Sequence, residues 1–420
     1  MQEESRYLKA LQKELVPALG CTEPIAIAFA SAKAREVLGT FPQKLDVWCS
    51  GNIVKNVKAV IVPNSGGLKG IDAAAILGAV GGCAGDELEV LQHVTQEDRA
   101  RTMELLAQPF CTCHLAEGED KLYVKVCASA GDQRACVVVE QHHTNITYLS
   151  KNDTVLYKNE SSRSAAHRRW GEMSVRGILE FADTVELEQI RPLLETQMNY
   201  NCAISAEGMK TAYGPQVWRS ITEINGDGVF AKAMANAAAA SEARMCGCPL
   251  PVIINSGSGN QGITVSVPVV TIARANQIPE QKLIRALAVS NLISIHIKSY
   301  IGDLSAFCGA VTASCGAGAA IAYMFDMGYD VVCNTISNTL ASVSGIVCDG
   351  AKASCAAKIA ASLEAAFSGY RMAVAGRAFE AGDGIVARDI EETIRSVGHI
   401  GRNGMDITDR EILKLMLENK

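Results

Sequence analysis

Leu8, Leu11, Leu15 and Leu19 recur at helical spacing and predict an amphipathic helix over 4–19. Gly20 closes it and Pro24 opens a second helix over 25–38, so GCTEP between them reads as a helix-to-helix turn. The run 44–49 predicts a strand that feeds the polar turn SGNIVKN and a short helix; 57–62 reads as extended, and NSGGLKG as a glycine-rich loop. Helical spacing returns over 71–84 and 96–107. The apolar period then shortens to that of a strand. CTCHLAEG, KLYVKVCASA, RACVVVEQ and NITYLSKN are short runs rich in β-branched residues, bounded by turn signals, and predict an antiparallel sheet.

Residues 159–169 form a polar, basic linker, after which strand signals almost vanish. Helices are expected over 175–181, 186–199, 229–246, 263–275, 280–297, 305–327, 340–349 and 351–366, many rich in alanine and glycine, which lets buried helices approach closely. The expected fold is α+β. Residues 1–38 supply N-terminal helices packed on the C-terminal helical domain, 39–160 a mixed α+β domain with a small antiparallel sheet, and 161–420 a mainly α-helical domain.

Composition narrows the function classes. With 420 residues, 48% of them hydrophobic, the chain can bury an ample core in two or three domains and is not disordered. A net charge of -6 offers no basic footprint for nucleic acid. The longest Ala-rich stretch, 231–243, is broken by Lys232, Asn236, Ser241 and Glu242, so no membrane span is expected. The N-terminus is polar rather than a signal peptide. With 15 cysteines in so long a chain, this predicts a cytoplasmic protein with free thiols, most of them small core residues. The Ala-rich helices suit a homodimer.

Three turns place a cysteine beside a glycine at a predicted helix end: Cys21 in GCTEP, Cys308 with Cys315 beyond it, and Cys348 with Cys355. Backbone N–H donors there favour the thiolate, the form that binds metals. No C-x2-C pair occurs, and the Cys111-x-Cys113-His114 fragment sends neighbouring side chains to opposite faces of a strand, poor geometry for zinc. SGSGNQG (Ser256, Gly257, Ser258, Gly259, Asn260, then Gln261 and Gly262) is a candidate anion cradle opening a helix. SGNIVKN presents Asn52, Lys55 and Asn56, with Lys55 a candidate partner for a substrate carboxylate. Lys298, after an apolar helical run that would lower its pKa, and His143 in HHTNI are the candidate bases. A site fed by both halves of the chain would lie at a domain interface.

Taken together, ALGCTEP, SGNIVKN, SGSGNQG, KSYIGDLSAFCGA and SGIVCDGAK resemble the L-cysteine desulfidase family over nearly the whole chain. That family is related to the α part of iron–sulfur L-serine dehydratases. The resemblance implies a [4Fe-4S] cluster with one open iron, held here by Cys21, Cys308 and Cys348. Cys355 stands as the rival third ligand, although its distance of seven residues from Cys348 departs from the dehydratase spacing. The implied reaction is α,β-elimination of L-cysteine to pyruvate, ammonia and hydrogen sulfide, with dehydration of L-serine on the same cluster as the alternative. Lys298, His143 and Lys55 are then the catalytic candidates, and Asn52, Asn56 and the SGSGN loop bind the amino acid. A pyridoxal-phosphate lyase using SGSGN as its phosphate loop and a non-enzymatic iron–sulfur sensor are the more distant readings.

Overall fold

The structure, a computed structural model, describes residues 2–159, 170, 173–302 and 304–418. The chain begins with α1 (Gln2–Glu14) and a short strand β1 (Pro17–Leu19). The first predicted helix therefore stops before Pro17, whose ring and missing N–H cannot continue an α-helix. α2 (Thr22–Leu38) follows and is buried on nearly every side, as an apolar helix of a core should be. Next come β2 (Lys44–Ser50), α3 (Gly51–Val57), α4 (Ile71–Gly81) and α5 (Gln96–Leu106). Most of SGNIVKN is thus itself helical, and the extension predicted over 57–62 reduces to one isolated bridge between Ile61 and Lys69.

The strands β3 (Cys111–Ala116), β4 (Tyr123–Ala130), β5 (Gln133–Glu140), β6 (Ile146–Lys151) and β7 (Thr154–Lys158) complete a six-stranded sheet of order β3-β2-β4-β5-β6-β7. The sheet is mixed rather than wholly antiparallel. The chain returns from β2 to β3 through three helices, which sets those two strands parallel. Val124, Val126 and Ala128 on β4, with Ala135, Val137 and Val139 on β5, form the strict alternation of a buried face, and α2 packs across these strands and against α4. Cys127 and Cys136 stand opposite each other on β4 and β5 and are joined by a disulfide. This corrects the expectation of free thiols throughout: the hairpin register, invisible in the spacing, brings the two sulfurs together.

The second half comprises α6 (Val175–Thr184), α7 (Leu187–Lys210), α8 (Val217–Asn225), α9 (Val229–Met245), β8 (Pro251–Ile253) and α10 (Gly259–Ala275). It continues with α11 (Glu280–Ile301), α12 (Gly309–Met324), α13 (Gly328–Ser342), α14 (Cys355–Val374), α15 (Ile390–His399) and α16 (Asp406–Glu418). α11 and α12 are buried over almost their whole length and form the centre of this half. The helix expected over 340–349 is instead the end of α13 and the loop carrying Cys348. Of the predicted linker 159–169, only residue 159 lies within the described residues.

Two features set up the site. α1 lies against α6, α7 and α11, whereas α2 belongs with the sheet, so the turn between them bridges both halves. β1 pairs with β8, Pro17 opposite Ile253 and Leu19 opposite Pro251, which lays the GCTEP turn beside the SGSGNQG loop. The fold is α+β. No helix among the described residues is long and apolar enough to cross a membrane.

Candidate functional site

Cys308 and Cys348 lie 40 residues apart in sequence and are brought together by a minimal antiparallel bridge between Phe307 and Val347. The Cys308 N–H donates to Ile346 O at 2.9 Å and the Cys348 N–H to Ala306 O at 2.6 Å. Past Cys348 the chain crosses the backbone of α3 at Gly350, whose φ is +98° and where a Cβ would stand 2.3 Å from Lys55 O. Only glycine allows both the left-handed turn and that approach.

Cys21 is the N-cap of α2, and Thr22 Oγ1 donates to Gly257 O at 3.0 Å, fixing the GCTEP turn to the SGSGNQG loop. Cys21, Cys308, Cys348 and Cys355 all line one cavity of about 110 Å³ at the meeting of the two halves. Asn52, Lys55 and Asn56 line it too; at i, i+3 and i+4 they share one face of α3. Ser258 and Asn260 reach it from the start of α10, and Lys298, 5% exposed, from the last turn of α11.

Other predicted residues support the cavity rather than line it. Ser256 Oγ donates to Asn255 Oδ1 at 3.0 Å, Gly257 receives Thr22, and Gly259 lies under a guanidinium described below. His143 is buried behind Glu23, with Nε2 3.9 Å from Glu23 Oε1. His143 is not part of the cavity lining itself; the structure sets this candidate base against a carboxylate that is. Lys55 is buried rather than solvated, and its Nζ lies 2.5 Å from Asp409 Oδ1 of α16 and 3.3 Å from Cys348 O.

Three residues escaped the sequence reading. Glu23, inside GCTEP, is buried on the cavity wall and accepts from Asn56 Nδ2 at 2.9 Å and from the Cys21 thiol at 3.0 Å. An acidic residue opening so apolar a helix was a usable signal. Arg244, 3% exposed, lines the cavity from the end of α9. Asp409 joins three parts, accepting from Lys55, from Asn52 Nδ2 at 3.5 Å and from the Ala306 N–H at 3.0 Å. Nothing in the amphipathic pattern of α16 marks it out.

The electrostatics favour the thiolate at Cys348 and the thiol at Cys308 and Cys21. A hydrogen bond from Cys308 brings the Cys348 thiol down to about 5 against the opposing push of burial, helped by Lys55 and the Gly350 N–H. Giving that bond, together with burial, pushes the Cys308 thiol up. Burial and the neighbouring Glu23 charge raise Cys21 as well. Burial would also raise the Glu23 carboxyl, but His143 and the Cys21 thiol outweigh it and hold it at about 2. Among the described residues, no three His, Cys, Asp or Glu side chains group closely enough to hold a single metal ion. A four-iron cluster takes each cysteine on a different iron. Its donor set is several cysteine sulfurs around one small space, and Cys21, Cys308 and Cys348 together line such a space.

The serine dehydratase alpha chain family matches this sequence over residues 85–414. That stretch includes Cys308 and Cys348 and excludes Cys21 and α3. A UPF0597 protein of Lachnoclostridium phytofermentans is 48% identical over 413 residues, covering 98% of this chain and 99% of its own. One from Treponema denticola is 46% identical over 422 residues, covering 99% of this chain and 98% of its own. A third, from Bacteroides fragilis, is 37% identical over 421 residues, again 99% and 98%.

Proposed function

The chain belongs to the serine dehydratase alpha chain family, and from that premise we propose that it is an iron–sulfur lyase that converts L-cysteine to pyruvate, ammonia and hydrogen sulfide. The observation that carries this reading is the convergence of Cys21, Cys308 and Cys348 on one small cavity also lined by Lys298, Asn52 and Asn56. These three thiols are the proposed cluster ligands, with Cys355 beside them. A [4Fe-4S] cluster held there supplies an iron without a protein ligand, a Lewis acid.

The chain's own groups do the remaining work. Lys298, buried at the end of α11, is the proposed base that takes the Cα proton. The electron pair left on Cα forms the Cα–Cβ double bond as sulfur leaves Cβ as sulfide. The aminoacrylate tautomerises to an imine, and water hydrolyses it to pyruvate and ammonia. Glu23, kept anionic by His143, would face the substrate ammonium; Asn56 Nδ2 donates to that carboxylate and Asn52 lines the same wall. Lys55, neutralised by Asp409, holds the α3 face and the Cys348 loop in register. The cavity's small volume and buried walls exclude water until sulfide has left.

The family's own description favours a second reading, dehydration of L-serine, which differs only in the leaving atom. Anaerobic reconstitution with iron and sulfide, followed by coupled pyruvate assays on both amino acids, decides. Pyruvate and sulfide from L-cysteine support the first reading, pyruvate from L-serine alone the second, and pyruvate from neither overturns both.

A further inference from the structure

Arg244 ends α9 with its guanidinium laid across the turn that opens α10. Its Nη1 donates to Asn260 Oδ1 at 3.2 Å, and Ser241 Oγ holds the same oxygen at 3.1 Å. Its Nε, fully buried, makes no hydrogen bond. A buried donor left unmade costs free energy, so such a group on a cavity wall is a place kept for an acceptor. Glu242, two residues earlier, does not supply that acceptor; one of its carboxylate oxygens caps α8 through the Val217 N–H at 3.0 Å. No salt bridge to Arg244 occurs among the described residues. Lys55, another cation close to the cysteines, is already paired with Asp409.

The SGSGN loop is shaped around this guanidinium. A Cβ on Gly259 would stand 2.3 Å from Arg244 Nε and 2.6 Å from Cζ. The planar group lies against a residue with no side chain, and Asn260 fixes its orientation from one edge. A planar fork held flat, with one donor left unpaired in a residue that lines a cavity of about 110 Å³, matches one chemical group best: a carboxylate on a small molecule.

We infer that Arg244 binds the α-carboxylate of the amino-acid substrate and that Gly259 and Asn260 set the plane in which it does so. The inference rests on the lyase reading for the substrate's identity. It makes SGSGN the platform for a guanidinium, where the sequence alone suggested a cradle of backbone N–H groups. It also frees the substrate's Cα and Cβ to face Lys298 and the cysteines, which share the cavity.

The test compares acid with amide on the reconstituted full-length protein. L-alanine and L-alaninamide, which have no β leaving group, are titrated calorimetrically, and KM and kcat are measured for whichever of L-cysteine and L-serine turns over. Arg244→Gln should weaken L-alanine by about 10- to 100-fold, the usual worth of a charge-assisted hydrogen-bond pair, and leave L-alaninamide nearly unchanged. KM should rise far more than kcat falls. Gly259→Ala, which displaces the guanidinium by its flexible end, should lose the same acid preference with Arg244 still present; it decides the matter if Arg244→Gln does not fold. Arg244→Lys should recover part of the preference. An unchanged acid-to-amide ratio in Arg244→Gln or Gly259→Ala overturns the inference, whether or not iron is lost, because Arg244 would then be only a counter-ion for the thiolates and Glu23. The alanine titrations stand even if neither amino acid yields pyruvate, so failure of the lyase reading and failure of this one are separable.

Discussion

Replacing Asp409 by Asn removes one negative charge and little else. The amide oxygen can still accept from the Ala306 N–H and from Asn52, so the shape of the junction survives. Lys55 does not escape so lightly: its side chain is 2% exposed and its partner only 5%, which leaves an ammonium buried without a counter-charge. Breaking a buried pair from one side costs about 3–5 kcal/mol, because the remaining charge has lost water and gained nothing. Asp409→Ala should cost roughly 1–2 kcal/mol more, since it also strands the Ala306 N–H. Replacing both partners with apolar residues, Lys55→Met with Asp409→Leu, should recover most of the stability, as buried pairs often tolerate. Turnover should stay low in the double variant, because the α3 face and the Cys348 loop would no longer be tied through Lys55. Urea midpoints and pyruvate production give the two readouts. A cost below about 1 kcal/mol for Asp409→Asn, the range of exposed pairs, would refute the reasoning.

Cys308→Ala or Cys348→Ala should abolish both iron content and turnover, while Cys355→Ala should leave both largely intact; iron and acid-labile sulfide analysis checks this, and loss of iron in Cys355→Ala alone would reassign the third ligand. Gly350→Ala should cost about 1–3 kcal/mol for its left-handed backbone alone, with more from the contact to Lys55 O, measured as a fall in the unfolding midpoint. Burial pushes the Glu391 carboxyl up, but His296, 2.7 Å away, outweighs it and leaves the group below its ordinary value. A carboxyl depressed in the folded state contributes stability above its unfolded pKa of about 4.3, and that stability is lost as pH falls through the folded value. Glu391→Gln should therefore flatten the acid limb of the stability profile; equal slopes for both proteins would show that the pair does not matter.

The cysteine turns were legible because a glycine or proline beside a cysteine announces a break from local sequence; Cys21 and Cys308 each precede a helix, and Cys348 sits in the loop after α13. What joins them was not legible. The Phe307–Val347 bridge and the β1–β8 pairing are each short ladders between distant segments, too brief to leave a period. α13 was largely missed because half of its buried face is polar: beside Val332, Ile336 and Leu340, the side chains of Thr335, Asn338 and Thr339 are fully buried, and Asn338 Nδ2 donates to the carbonyls of Gly369 and Arg377. A pattern that equates polar with exposed reads such a helix as loop. His143 illustrates a different limit. A histidine that holds a catalytic carboxylate and one that takes a proton itself have the same sequence context, and only position behind or on the cavity wall separates them.

The site motifs share a property beyond cysteine. α2, α10, α12 and α14 all start on the cavity, and none of their N-caps closes its own first turn with a side chain. Side-chain caps do occur elsewhere, at Thr95 for α5, Ser174 for α6 and Asp389 for α15, although α3, α4, α7, α8, α9, α11 and α13 also lack one. Each uncapped start leaves N–H donors and about half a positive charge directed at the space ahead of it. Four such ends, with Arg244 and Lys298, make the cavity strongly favourable to anions. This field acts in the same direction as the Cys308 hydrogen bond and Lys55 at Cys348, and as His143 at Glu23. It also gives Asp409 a reason to neutralise Lys55, whose buried charge would otherwise stand unpaired beside positive helix starts. Thiolate ligands and a substrate carboxylate draw on the same field. A segment that contributes a helix start contributes to that field whatever its side chain, and glycine outnumbers cysteine in these motifs.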